Sequence, residues 1–126
     1  MKNLTLKITL PLPPSLNSCF RNVAINRRIP TKEALKWKAE AQLVATVQAK
    51  KQGWELSKEK TIVEIKIFWK DARKSDCDNR LKIFLDSMNG ILWEDDHVCL
   101  PRFMDYSTDR ENPRMEIVIY KKDEKN

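Results

Sequence analysis

The chain has 126 residues, with 24 Lys and Arg against 18 Asp and Glu, a formal net charge of +6. That length suits a single domain, 1–126, which buries about two thirds of its unfolded surface and needs no disulfide to fold. No run approaches a membrane span, the N-terminus lacks the apolar core of a signal peptide, and the 3 Cys form no C-x-x-C pair.

The cysteine pattern predicts reduced thiols in the cytoplasm and argues against a zinc knuckle. The basic balance serves solubility, or it meets a polyanion. Nucleic acid fits better than a membrane, because no basic amphipathic helix with an exposed aromatic edge is evident.

In chain order, Leu4, Leu6, Ile8 and Leu10 alternate with polar residues and predict a half-buried strand. It stops where Pro11, Pro13 and Pro14 forbid ladder pairing. Residues 19–30 are basic, with Arg21, Arg27 and Arg28, and lack periodicity. They predict a loop, either solvated or contacting phosphate. Thr31 is a candidate N-cap. Ala34, Trp37, Ala41, Val44 and Ala45 then form the apolar stripe of a helix ending before Gly53. Val63, Ile65, Ile67 and Trp69 predict a second strand, central because both faces carry apolar residues. Two final strands are expected over 98–106 and 114–120, joined by a polar turn. The last six residues, 121–126, are expected to fray. The order β-α-β-α-β-β predicts an α+β domain with two main helices on one small mixed sheet.

The chemistry concentrates in 74–98, which carries Asp76, Asp78, Asp86, Glu94, Asp95 and Asp96 in an otherwise basic chain. Leu81, Phe84, Leu85 and Met88 mark the apolar face of a helix, stopped by Asn89-Gly90. Asp78, Lys82 and Asp86, spaced by four, line a second face. Asp76 and Asp78 at the start either cap the helix or, on an extended run, point the same way. The apolar run Ile91-Leu92-Trp93 returns the chain to Asp95-Asp96. Clustered carboxylates repel one another, and a hard divalent cation relieves that repulsion.

Other sites fit poorly. An EF-hand loop from Asp76 would meet Leu81 and Ser87 where Gly and Glu belong. The 2 Gly make neither phosphate-binding glycine motif, and the 1 His, His97, leaves no relay built on a second histidine. Metal-assisted phosphodiester hydrolysis suits the acids, with Lys82 placed to offset charge on phosphate. The alternative is a set of caps and surface pairs, the plainer reading for Asp86 alone.

The motif D-x-D-N-x-x-K-x-x-x-D (Asp76, Asp78, Asn79, Lys82, Asp86), the later Asp95-Asp96 pair, and Pro13-Pro14-Ser15-Leu16-Asn17 together resemble the RusA-type Holliday junction resolvases of bacteria and their prophages. The resemblance implies a Mg²⁺-dependent endonuclease, with Mn²⁺ able to substitute, acting as a homodimer on four-way DNA junctions in recombination and repair. It implies Asp76, Asp78 and Asp96 as catalytic metal ligands, Asp95 as a helper ligand and Lys82 as the essential basic residue. The arginine run that precedes the family's D-x-D is here only Arg73-Lys74-Ser75. Arg21, Arg27, Arg28, Arg73 and Lys74 are the candidate DNA contacts. Two alternatives stay open: a non-catalytic DNA-binding protein with a structural acidic cluster, and a nuclease for other branched DNA.

Overall fold

The computed structural model describes the backbone of residues 4–13, 20–24, 27–70 and 77–122, and their side chains except for 20–30 and 77–79. Strand β1 (Thr5–Leu10) is followed by β2 (Phe20–Ala24), β3 (Arg27–Pro30) and helix α1 (Lys32–Lys51). Strand β4 (Thr61–Trp69), helix α2 (Cys77–Ser87), a 3₁₀ turn (Asp96–Val98), β5 (Cys99–Thr108) and β6 (Arg114–Lys121) complete the order. The main sheet runs β1-β6-β4-β5, with β4 parallel to β5 and β6 antiparallel to both β1 and β4. This is the expected α+β architecture, with β4 central. A parallel pair needs a crossover, and α2 supplies it between β4 and β5.

Period-2 patterning puts Leu6, Ile8 and Leu10 of β1, Val63, Ile65, Ile67 and Trp69 of β4, and Met115, Ile117 and Ile119 of β6 into one core. Both helices cover that face, through Trp37, Ala41, Ala45 and Ala49 of α1, Phe84 of α2 and Met88 just beyond it. The other face carries polar pairs, among them the Tyr120 hydroxyl donating to Glu64 at 2.8 Å. Thr31 caps α1 as expected: its Oγ1 accepts from the Ala34 N–H at 3.2 Å. Glu33 in the first turn and Lys50 and Lys51 in the last complement the helix dipole.

Helix α1 also closes an edge of the sheet. Gln52 accepts from the Lys7 N–H at 2.9 Å and donates to the Lys7 carbonyl at 2.7 Å. Gln48 does the same at Thr9, at 3.1 and 3.2 Å. Two glutamines thus stand in for a neighbouring strand along β1 and satisfy main-chain groups that an edge leaves open. At the far edge, Phe103, Met104 and Tyr106 of β5 remain exposed. So do Leu35, Leu43 and Val47, a second apolar row of α1 on the side away from the core.

Two expectations are corrected. Residues 20–24 and 27–30 are not loop: β2 and β3 pair antiparallel, with Arg21 opposite Ile29 and Asn22 opposite Arg28. They form a separate two-stranded sheet held by main-chain bonds, which needs no alternating apolar face and leaves no periodic signal. At the C-terminus, Lys121 belongs to β6, and the Lys122 N–H bonds the Lys60 carbonyl at 2.8 Å. Fraying of 121–122 is therefore ruled out, and 123–126 lie outside the described residues.

Candidate active site

Helix α2 begins at Cys77, so Asp78 belongs to its first turn and not to an extended run. Asp76, Arg73, Lys74 and residues 14–17 of the proline-rich motif lie outside the described residues, as does the Asp78 side chain. Pro13 is buried, and its carbonyl accepts from Arg80, whose guanidinium lies 5.1 Å from the Trp69 ring centre. Arg80 thereby ties the proline segment to the start of α2 and the end of β4. Lys82 and Asp86 follow on one exposed face of the helix. The Asp78 and Asp86 backbones are about 12 Å apart along the axis, with Lys82 between them. The backbones of Arg21, Arg27 and Arg28 lie in the hairpin.

The second acidic segment is held from behind. Trp93 is fully buried, edge-on to Phe84 with ring centres 5.9 Å apart. The Leu92 carbonyl accepts from Trp54 Nε1 at 2.9 Å and from the Ser57 N–H at 3.1 Å, while the Glu94 N–H donates to Ser57 at 2.8 Å. Gly90, at φ +80°, donates to the Trp93 carbonyl at 2.7 Å and closes the turn. Its positive φ is the reason for Gly there. The left-handed residue sits three places beyond the last helical residue, not directly after it.

Asp95 and Asp96 emerge from this turn beside Asp86. The two neighbouring carboxyl groups act on each other, which raises Asp96 above the usual Asp range and lowers Asp95 below it. Burial and the negative charges of Asp86 and Asp95 raise Asp96 further, whereas the Asn89 side chain acts the other way. His97 pairs with Asp95 through Nδ1 at 3.4 Å and is mostly exposed. Cys99 is pushed up to about 12, first by burial and then by Asp96 and Asp95, so its thiol is no nucleophile at neutral pH.

Asp96 therefore lies within electrostatic reach of Asp95 and Asp86. Among the described residues, no three His, Cys, Asp or Glu side chains form a metal shell. The donor chemistry still fits a hard cation. Asp96 offers oxygen only, and its acidic neighbours make a negative spot that a divalent ion would neutralise. Asn89 went unread in the sequence as anything but a helix stop; the Asn-Gly pair before an Asp-Asp pair was the available signal.

No curated protein matches the chain. Residues 11–120, from the proline-rich segment to the end of β6, match the family described as Endodeoxyribonuclease RusA. The match spans both acidic segments and every strand after β1 except the last residue of β6, and the chain belongs to the RusA endodeoxyribonuclease family.

Proposed function

We propose that this chain is a divalent-metal-dependent endonuclease that resolves four-way DNA junctions by paired, symmetric nicks. The observation that carries the proposal is the family match over residues 11–120, within which buried Trp93 holds the turn that bears Asp95 and Asp96 against Phe84 of helix α2. Asp76, Asp78 and Asp96 would hold the cation, with Asp95 as helper; Mg²⁺ is the expected ion and Mn²⁺ its substitute. When bound, such an ion supplies a Lewis acid that activates water and offsets charge at phosphorus.

The protein's own residues do the rest. Lys82, exposed one turn from Asp86, presents an ammonium to a phosphate over the same helix face. Arg21, Arg27, Arg28, Arg73 and Lys74 are the proposed phosphate contacts, and they position DNA without reading its sequence. No helix of the described residues is long and apolar enough to cross a membrane. A cytoplasmic site of action is part of the proposal.

Two nicks on strands related by a two-fold axis need two acidic sites, and a single domain, 1–126, carries one. A C₂ homodimer supplies the second under the same symmetry as the junction. The open edge at Phe103, Met104 and Tyr106 and the outer row of α1 are the exposed apolar surfaces that support such an assembly. The test is a mixed dimer of one wild-type and one Asp78→Asn chain on a cruciform in a supercoiled plasmid. Wild type is expected to linearise the plasmid in one encounter, and the mixed dimer to yield nicked circles. A mixed dimer that linearises as well as wild type would show that one site makes both cuts.

A further inference from the structure

We propose that this chain dimerises through the open edge of its sheet, strand β5 pairing antiparallel with β5 of a second copy about a two-fold axis between Phe103 and Met104. This names the interface of the homodimer in the reading above and rests on that assembly.

The two edges of the sheet are treated differently. Gln48 and Gln52 close β1 with paired hydrogen bonds to Thr9 and Lys7. Among the described residues, no strand pairs with the far side of β5. Its core-side row is uncovered as well. Phe103 lies opposite Ile65 and Tyr106 opposite Ile67. Ile65 and Ile67 are 0% and 1% exposed, yet Phe103 is 40% and Tyr106 72% exposed. The helix layer therefore ends over β4, and the apolar face of the sheet runs one strand further.

Strand β5 is irregular in a way that suits few partners. Its register shifts at Met104: Arg102 lies opposite Glu64 and Phe103 opposite Ile65, but Asp105 lies opposite Lys66. Residues three apart fall on opposite faces of a regular strand. The extra residue instead puts Arg102 and Asp105 together on the outer face, in line with Glu64 and Lys66. Among the described residues, neither Arg102 nor Asp105 takes part in an ion pair.

Pro101 lacks a donor and the shift interrupts the ladder, features that keep an edge from pairing with a passing strand. A second β5 carries the same irregularity at the same place. Turned about the proposed axis, it sets Arg102 opposite the partner's Asp105, and Asp105 opposite the partner's Arg102. Each outer row then reads Glu64, Arg102, the partner's Asp105 and the partner's Lys66, alternating in sign across four strands. On the core side, Pro101 meets the partner's Tyr106 and Phe103 the partner's Met104, so exposed apolar surface is covered by its like. The contact is isologous, as a two-fold axis requires. With the axis one step along, between Met104 and Asp105, Arg102 would face Ser107 and the charge pairs would be lost.

The test measures dimer formation by full-length chains in sedimentation equilibrium. It compares wild type, Arg102→Glu, Asp105→Arg, both changes in one chain, and Leu43→Lys on the outer row of α1. Wild type is expected to dimerise. Each single reversal makes two like-charge pairs under the symmetry and is expected to weaken the dimer about 10-fold or more. An equimolar mixture of the two single variants is expected to restore dimers, one chain of each kind, because every altered side chain then meets its opposite. The double variant is expected to pair with itself, and Leu43→Lys to dimerise as wild type does. Rescue on mixing also separates a lost interface from a lost fold, since an unfolded variant would not recover. Single reversals that dimerise as wild type does, or a mixture that stays monomeric, overturn the proposal. So does a dimer lost in Leu43→Lys alone, which would place the interface on α1. A wild-type chain that is monomeric throughout removes the homodimer itself, and this interface with it. A firm dimer indifferent to both reversals removes only the interface.

Discussion

Asp76→Asn, Asp78→Asn and Asp96→Asn are each expected to abolish cleavage while leaving junction binding intact or tighter. Each change removes an oxygen donor proposed for the cation and also one negative charge near phosphate. A cation contributes several kilocalories per mole at the transition state, so the loss should be about a hundred- to ten-thousandfold in rate. Binding should persist because Lys and Arg carry it, displacing condensed counterions from DNA. All three variants should therefore keep the wild-type slope of binding against salt. Asp86 is a control of another kind. Its charge acts on Asp96 and it is not among the proposed ligands, so Asp86→Asn is expected to have the smaller effect. Equal loss of binding and cleavage in the three variants would mean that these acids hold the fold instead.

Trp93→Ala is expected to be the most damaging single change to stability. The side chain is fully buried, packs edge-on against Phe84 and donates to Asn89. Removing it leaves a cavity, exposes Phe84 to that cavity and orphans the Asn89 acceptor. Large-to-small changes of this kind cost about 3–5 kcal/mol. Small domains hold about 5–15 kcal/mol in total, so a large share of the stability would go. Equilibrium unfolding in urea measures it. A midpoint within error of wild type would show that the turn carrying Asp95 and Asp96 is held by its backbone bonds to Ser57 and Trp54 alone.

Much of this fold was legible because the relevant signals are local. Thr31 announced the start of α1, the alternation of Leu6, Ile8 and Leu10 announced β1, and a strand apolar on both faces announced the centre of the sheet. Other features depend on contacts between distant segments, and composition does not encode them. Gln48 and Gln52 look like ordinary polar helix residues until β1 lies beside them. The β2–β3 hairpin is made of main-chain bonds, which any sequence can form. The outer row of α1 was obscured because Leu35, Leu43 and Val47 are spread among polar and small residues and oppose a buried stripe of their own helix.

The acidic site divides in the same way. Carboxylate spacing pointed to Asp76, Asp78, Asp95 and Asp96, and the structure adds Asp86 as a neighbour of Asp96. The bracing of the turn that carries Asp95 and Asp96 left no sequence signal for a physical reason: the turn folds back on Trp93 and is fixed by residues more than thirty positions away, at Trp54 and Ser57.

The most direct measurement is cleavage by the wild-type chain of a four-way junction, a flap and a linear duplex of matched sequence, each in Mg²⁺ and in EDTA. Paired nicks that convert the junction into two duplexes in Mg²⁺, with no product in EDTA, are the predicted result. Junction binding without cleavage, cleavage that persists in EDTA, or a cut flap beside an intact junction would contradict it.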